Sequence, residues 1–212
     1  SKLNETFTRK GEGWVEKRLG EVCSLIKRGV APKYVESGGI QVINQKCIRN
    51  HKINLLLARK HNINLKNVNS EKMIQIGDVL INSTGVGTLG RVAQVREGFL
   101  NDVTVDTHVT IVRPINNEFF NDFFGYALIK IEDDIASSGE GASGQTELVR
   151  TKLENNFILS YPTSQTKQKQ IVKKLDKIKK HTLSLKSIYQ QELKSLEELK
   201  KSILKKAFEG EL

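Results

Sequence analysis

Runs of β-branched and aliphatic residues alternate with turn residues over the first three quarters of the chain. Four of these runs predict β-strands, because apolar and polar positions alternate within them. They lie at residues 40–44, 72–82, 91–95 and 103–114. Apolar residues spaced three or four apart predict helices at residues 15–26 and 119–130, and a Gly/Ser-rich stretch at residues 137–147 predicts a loop. We expect an α+β fold, with an arm at residues 1–12 and a globular domain at residues 13–162 that has a mostly antiparallel, curved sheet.

The last part of the chain, residues 163–212, has a different pattern. Residues 166–208 contain no glycine or proline, and apolar residues recur every three or four positions over five heptads, which predicts one long coiled-coil helix. The apolar seam of this helix consists of Ile171, Leu175, Ile178, Leu185, Tyr189, Leu196, Leu199 and Ile203. Because Thr182, Glu192 and Lys206 interrupt the seam, it cannot bury much within one chain, and this predicts a second helix as its partner.

A glycine motif at residues 81–92 raises the question of nucleotide binding. Gly85, Gly87 and Gly90 match the phosphate-binding pattern G-x-G-x-x-G. A dinucleotide fold needs a helix after this loop, whereas the residues that follow it predict a strand. A kinase needs catalytic motifs that the sequence lacks. The glycines therefore indicate the turn of a β-hairpin.

Charge is distributed unevenly along the chain, whose net charge is +10. Residues 27–66 contain nine lysines and arginines but a single acidic residue, Glu36. A basic surface of this kind predicts a polyanionic partner, foremost double-stranded DNA, although a merely solvated face is the alternative. The candidate phosphate contacts are Lys27, Arg28, Lys33, Lys46, Arg49, Lys52, Arg59 and Lys60. The excess of lysine in the tail is better explained as the solvated outside of its helix.

Two glycine-bracketed loops carry short polar side chains that can approach the edges of DNA bases. One loop holds Asn82, Ser83, Thr84 and Arg91, and the other holds Ser143, Gln145 and Thr146. Glutamine can form two hydrogen bonds with adenine and arginine two with guanine, so these loops are candidates for base readout. The alternative is that the hydroxyl groups only cap turns.

Cysteine and histidine usage argues against a metal centre. Cys23 and Cys47 form no C-x-x-C pair, and the four histidines are scattered, so we expect no structural zinc and two thiols in a reducing cytoplasm. No long apolar span suggests membrane insertion.

Four stretches of the chain resemble the DNA-specificity subunit of type I restriction–modification systems. They are GWVEKRLGEVCSLIKRG from residue 13, GDVLINSTGVGTLGRVA from residue 77, GASGQTELVRTKLENNFI followed by Tyr161 and Pro162, and the ending LKKSILKKAFEGEL. The ending is the most specific of the four. After Pro162 the chain departs from the L-P-x-P-x-x-E-Q of the family, because Ser164 replaces a proline and Lys167 a glutamate.

The resemblance implies a target-recognition domain at residues 13–162 and, at residues 163–212, a helix that docks methylation subunits. Those partners would carry S-adenosylmethionine and methylate adenine at a bipartite site, and a restriction subunit would join them in some complexes. This chain would hold no cofactor of its own and perform no catalysis. Its sequence agrees, since it contains neither an N-P-P-[FY] or D-P-P-[YF] methylation motif nor a nuclease motif outside the tail.

One departure from the family concerns length. A full-length specificity subunit has two recognition domains and two long helices, and this sequence has one of each. The chain is then either a half-subunit that works as a homodimer or a shortened form of a longer subunit. From a different class of function, a coiled-coil scaffold or regulator whose globular head binds protein also fits the pattern.

Overall fold

The computed structural model describes residues 5–7, 11–96, 102–141 and 146–210. The chain divides into two compact units, Ser1–Val172 and Lys173–Leu212. The strands are β1 (Trp14–Arg18), β2 (Cys23–Arg28), β3 (Tyr34–Val35), β4 (Ile40–Ile43), β5 (Ile48–Arg49), β6 (Lys52–Ile53), β7 (Arg59–His61), β8 (Val79–Asn82), β9 (Val92–Gln94), β10 (Val103–Val105), β11 (Val109–Pro114) and β12 (Ile158–Pro162). The α-helices are α1 (Leu19–Val22), α2 (Asn121–Lys130), α3 (Glu132–Ser137), α4 (Arg150–Asn156) and α5 (Gln165–Phe208).

Two four-stranded sheets form most of the first unit. One has the strand order β2-β11-β8-β9 with every pair antiparallel. The other has the order β10-β4-β7-β3, in which β10 and β4 run parallel and the other pairs are antiparallel. Strands β1 and β12 form an antiparallel ribbon, and β5 and β6 form a short hairpin. The predicted α+β class with mostly antiparallel pairing is confirmed.

The core lies between these sheets and beside α2. Apolar side chains from both four-stranded sheets meet in one buried cluster that includes Ile43, Leu80 and Ile111. A second group is aromatic, with the ring of Phe119 4.6 Å from that of Tyr161 and 5.0 Å from that of Phe124. The eight phenylalanines of the sequence, apart from Phe208, precede the tail because the apolar core is in the first unit.

Three predicted elements differ from the structure. The predicted helix at residues 15–26 is wrong, because only α1 is helical there and the flanking residues belong to β1 and β2. The predicted strand at residues 72–82 is confined to β8. The predicted strand at residues 103–114 is two strands, β10 and β11, which lie in different sheets. The predicted helix at residues 119–130 is confirmed by α2.

Helix α5 confirms the long C-terminal helix. It begins after the loop of Thr163 and Ser164, where the Ser164 hydroxyl accepts a hydrogen bond from the backbone N–H of Lys167 at 3.4 Å. Gln168, in the first turns, is fully buried: its carboxamide accepts from the backbone N–H of Phe120 and donates to the carbonyl of Pro162. The first turn of α5, which belongs to the first unit, is therefore anchored in that unit by Gln168.

Most of the predicted helix seam is exposed in the single chain. Leu185 is 52% exposed and Leu196 61% exposed. The other exposed members are Ile178, Tyr189, Leu199 and Ile203. Leu175 is buried and Ile171 partly buried. A row of exposed apolar side chains at heptad spacing is the surface that a second helix would cover.

Candidate nucleic-acid interface

The glycine motif forms the predicted hairpin. Strands β8 and β9 pair antiparallel through Ile81 and Val92, and residues 83–91 connect them. Gly90 has a φ of +84°, and a Cβ there would lie 2.5 Å from the Cα of Ala136, so only glycine fits the turn. The residues after the loop form a strand, whereas a phosphate-binding dinucleotide loop would need a helix there.

Two of the residues predicted for base readout are buried at the root of this hairpin. Asn82 and Ser83 are both 0% exposed. The Asn82 amide donates to the carbonyl of Gln45 at 3.0 Å, and the Ser83 hydroxyl bonds to that of Thr110. With no exposed surface, these two side chains support the loop in this structure and offer nothing to a base.

The other candidate residues lie where several loops meet. The Thr84 hydroxyl lies 2.7 Å from Nδ1 of His108 and 3.5 Å from Oε1 of Gln45. We call Gln45, Thr84 and His108 the polar cluster. A Cβ added to Gly85 would lie 2.7 Å from Oε1 of Gln45, so the glycine allows the Gln45 side chain to lie against the loop.

The second predicted readout loop lies beside the first. Thr84 forms a β-bridge with Glu147, and the backbone N–H of Leu148 donates to the carbonyl of Ser83 at 2.8 Å. Thr146 is partly buried within this loop, whereas Ser143 and Gln145 lie outside the described residues. The two loops are far apart in the sequence, and the structure places the described end of the second, from Thr146, beside the first.

Gln45 and His108 were not predicted from the sequence. Gln45 begins a 3-10 turn one residue after the mostly buried strand β4, so the polar pair Asn44 and Gln45 after an apolar run was the available signal. His108 occupies the turn between β10 and β11, where its backbone N–H donates to the carboxylate of Asp106 at 2.9 Å. Burial raises the pKa of Asp106, and the His108 N–H partly offsets that effect.

Two cations of the predicted basic surface are ion-paired. Nη1 of Arg28 lies 2.5 Å from the carboxylate of Glu147, and Nζ of Lys27 lies 2.8 Å from that of Glu71. The hydrogen bond from Lys27 holds the pKa of Glu71 below its ordinary value. These two cations are already partly neutralised by the protein.

The remaining cations of that surface are exposed. Among the residues that the structure describes, Lys33, Lys46, Arg49, Lys52, Arg59 and Lys60 are exposed and take part in no ion pair. The Arg59 guanidinium lies over the Tyr34 ring, 3.3 Å from its centroid. Arg91 is half-buried and donates to the carbonyl of Gly87 at 2.8 Å. Exposed, unpaired cations are the side chains that can neutralise DNA phosphates.

Two of the exposed cations, Lys46 and Arg59, lie in or near turns that adjoin the polar cluster. The Asn44 amide donates to the carbonyl of Leu57 at 3.3 Å, which joins the 3-10 turn Gln45–Cys47 to the 3-10 turn Leu55–Leu57. Lys46 belongs to the first turn, and Arg59 begins the strand that follows the second. The candidate base-reading and phosphate-binding groups therefore lie on adjoining loops, an arrangement that a DNA interface requires.

Within the described ranges, no three His, Cys, Asp or Glu side chains gather as metal ligands would. Cys23 and Cys47 are free thiols, and burial raises the pKa of each. No helix in the described part of the chain is both long enough and apolar enough to cross a membrane.

Comparison with protein families gives one match that spans most of the chain. Residues 11–195 match the family model described as type I restriction modification DNA specificity domain. Comparison with curated proteins gave no significant match.

Solved structures with a similar fold include three chains of type I systems. One comes from work on the complex assembly and conformational transition of the type I R-M system; it has a TM-score of 0.78 and 23% identity, covering 100% of this chain and 50% of that one. The HsdS subunit from Thermoanaerobacter tengcongensis has a TM-score of 0.68 and 23% identity, with 99% and 49% covered. The type I S subunit from M. genitalium has a TM-score of 0.58 and 12% identity, with 86% and 43% covered. At these identities the likeness concerns the fold, and the chain spans half or less of each solved relative.

Proposed function

Because this chain belongs to the family of type I restriction modification DNA specificity domains, we propose that it selects the DNA sequence on which a type I complex acts. In this proposal residues 13–162 form the target-recognition domain and contact duplex DNA. The single observation that carries the proposal is the meeting of the polar cluster, the Thr84–Glu147 bridge and the exposed cations Lys46 and Arg59 on adjoining loops.

The division of work among these groups follows from their chemistry. Lys33, Lys46, Arg49, Lys52 and Lys60 are long, exposed cations and suit phosphate contacts, which fix position without selecting sequence. Gln45 presents a carboxamide, which can pair with the N6 and N7 atoms of adenine. The proposed readout surface is completed by four residues of the adjoining loops: Thr84, Arg91, His108 and Thr146. Ser143 and Gln145 remain candidates from the sequence alone.

We propose that the chemistry is performed by partner subunits. Methylation subunits carrying S-adenosylmethionine would bind the chain and methylate adenine in the selected site, and a restriction subunit would join some complexes. The specificity subunit itself would contribute binding, orientation and choice of sequence. These are the roles of the family, and the match of residues 11–195 supports proposing them for this chain.

We further propose that two copies act together through α5. The chain spans about half of its solved relatives, and its helix leaves Ile178, Leu185, Leu196 and Leu199 exposed. Pairing two such helices antiparallel would bury the seam and relate two recognition domains by a two-fold axis. The target would then be an inverted repeat with a gap, because the symmetry of the protein is imposed on its site.

A binding experiment tests the proposed function. The full chain, alone and with its methylation subunit, is titrated with a pool of random duplexes, and the bound fraction is sequenced over a range of salt concentrations. We expect one enriched motif and an affinity that falls steeply with salt. A coiled-coil scaffold whose head binds protein would give neither the motif nor the salt dependence, and that result would overturn the proposal.

A further inference from the structure

Two apolar side chains project from the same loops that carry the proposed DNA contacts. Leu56 is 94% exposed and Val86 is 74% exposed, more than any other aliphatic side chain in the described part of the domain. Leu56 lies in the 3-10 turn between β6 and β7, and Val86 lies between Gly85 and Gly87 in the β8–β9 loop. Single exposed aliphatic side chains are ordinary on protein surfaces, but two of them on the loops that carry the proposed DNA contacts are candidates for a contact with the same ligand.

The turn that carries Leu56 is held firmly by its own hydrogen bonds. The Asn54 side chain accepts from the backbone N–H of Leu56 at 3.0 Å, and the N–H of Ala58 donates to the carbonyl of Leu55 at 3.0 Å. Leu55 and Ala58 pack against the buried core, so the residues on either side of the tip are anchored. Leu56 is therefore directed outward by a preorganised turn, and little conformational entropy is lost when a ligand covers it.

A chain of contacts connects the two tips through the polar cluster. Asn44 bonds to the carbonyl of Leu57, the neighbour of Leu56, and Gln45 follows Asn44 directly. Gln45 in turn lies against Thr84 and Gly85, the residues that precede Val86. The polar cluster is thus linked by direct contacts to the loop of each apolar tip.

The surrounding charge identifies the class of molecule that would cover these tips. Lys52 precedes the Leu56 turn and Arg59 and Lys60 follow it, while Lys46 lies in the neighbouring turn. A neutral protein surface that buried Leu56 would leave these cations without counter-charges. Among polyanions the proposed function favours DNA, which offers phosphates around an apolar interior. DNA-binding proteins place aliphatic side chains against thymine methyl groups or between unstacked base steps.

Building on the proposed function, we propose that Leu56 and Val86 contact the apolar surface of the bases and contribute to sequence selection. The shared chemistry is an aliphatic side chain against either a thymine 5-methyl group or the face of an unstacked base. Both contacts depend on sequence, the first through the methyl group and the second through the ease with which a base step opens. The two tips would bracket the position that Gln45 reads.

The test uses the full chain and the duplex motif enriched by the wild-type protein. Each thymine of that duplex is replaced in turn by deoxyuridine, which removes only the methyl group, and 2-aminopurine is placed in turn at each adenine. Binding of the wild type should weaken about three- to tenfold at one or more uracil positions, or 2-aminopurine should brighten at one step. The uracil arm identifies a methyl contact and the fluorescence arm an unstacked base.

Variants assign the response to the tips. Leu56→Ala and Val86→Ala should each remove one of these responses and leave the salt slope unchanged. Leu56→Met should retain the response that Leu56→Ala removes. Ile76→Ala is the matched control, because Ile76 is 56% exposed at the opposite end of β8 from the hairpin loop. Circular dichroism checks that each variant folds.

The outcomes separate this inference from the proposed function. In one outcome the wild type selects its motif, while Leu56→Ala and Val86→Ala bind with wild-type affinity and respond to every substituted duplex as the wild type does. In that case the inference is overturned and the proposed function stands. The same holds if Leu56→Ala binds DNA normally and loses only the methylation subunit. If the wild type selects no motif, the proposed function itself fails.

Discussion

Arg28 and Glu147 form an ion pair across the candidate interface, with 2.5 Å between Nη1 of the guanidinium and Oε1 of the carboxylate. The guanidinium also donates to the carbonyl of Leu148 at 3.0 Å. Strand β2 is thereby tied to the loop that bridges Thr84, and a cation predicted to bind phosphate is partly neutralised within the protein.

This pairing leads to a prediction about DNA affinity. Glu147→Gln removes the charge that competes with phosphate for Arg28, so DNA should bind more tightly and the salt slope should steepen by up to about 0.9. Glu140→Gln is the matched control, because Glu140 lies in the same loop and pairs with Lys152 at 2.9 Å. Equal effects of the two substitutions in a salt titration would show that overall charge, and not Arg28, is responsible.

The exposed cations should differ from the paired ones. Lys46→Ala, Arg49→Ala, Lys52→Ala and Lys60→Ala should each reduce the salt slope by about 0.9 and weaken all sequences alike, if each lysine or arginine neutralises one phosphate. Lys27→Ala removes the same charge from a side chain that Glu71 already holds, and its slope should change less. The affinities of the variants are measured from low to moderate salt. If every variant kept the wild-type salt slope, this surface would be excluded from the DNA interface.

The helix seam predicts the state of association. Leu185→Asp combined with Leu196→Asp places two charges in the proposed interhelical contact, so the protein should sediment as a monomer with an intact recognition domain. Adding the same two charges outside the seam, with Ser187→Asp and Gln191→Asp, should leave the dimer in place. A wild-type chain that is monomeric at micromolar concentration, with and without the methylation subunit, would refute the paired-helix proposal.

Stability depends on the buried pair of Asp78 and Arg113. Asp78 is 1% exposed, and burial raises its pKa above the ordinary 3.8 although two hydrogen bonds of 2.8 Å from Arg113 oppose the rise. Arg113→Met leaves a buried carboxylate without its partner and should cost about 3 kcal/mol of unfolding free energy at neutral pH. Arg150→Met, which breaks the exposed pair with Glu154, should cost less than about 1 kcal/mol.

The pH dependence of that loss has a definite sign. Without Arg113 the pKa of Asp78 rises further in the folded protein, so the protonated carboxyl becomes the favoured folded form. A folded-state pKa above the unfolded value gives stability that is full below the unfolded pKa and is lost as pH rises through the folded pKa. The deficit of Arg113→Met should therefore shrink as the pH falls from 7 toward 4 in denaturant titrations. A deficit independent of pH would show that packing, and not charge, accounts for it.

The sequence predicted the elements whose pattern is local. The hairpin around Gly85 and Gly90 follows from turn chemistry between two β-branched runs, and α5 follows from a long heptad pattern without a breaker. The helix predicted at residues 15–26 failed because the apolar spacing there was helical while strand pairing decided the outcome. Trp14–Arg18 pairs with Ile158–Pro162 from the far end of the domain, and such partners are invisible in a local pattern.

Site prediction was limited for the same reason. The β-branched run at residues 103–114 looked continuous, and the turn in which Asp106 accepts from His108 divides it between two sheets. That turn brings His108 to Thr84, which the sequence separates by 24 positions. Burial likewise distinguishes Asn82 and Ser83 from Thr84, although all three looked equivalent as polar residues beside glycine. Which polar side chains share a surface depends on tertiary contacts.

Methylome sequencing tests the central claim, choice of DNA sequence by this chain, most directly. Cells that carry the chain, cells that lack it and cells that carry Gln45→Ala are compared for modified adenines. We predict one recurrent gapped motif with the wild type, no such motif without the chain, and a changed or relaxed base at one position of each half-site with Gln45→Ala, since the carboxamide contributes discrimination of about 1–3 kcal/mol. An adenine methylation pattern that is the same with and without the chain would contradict the account.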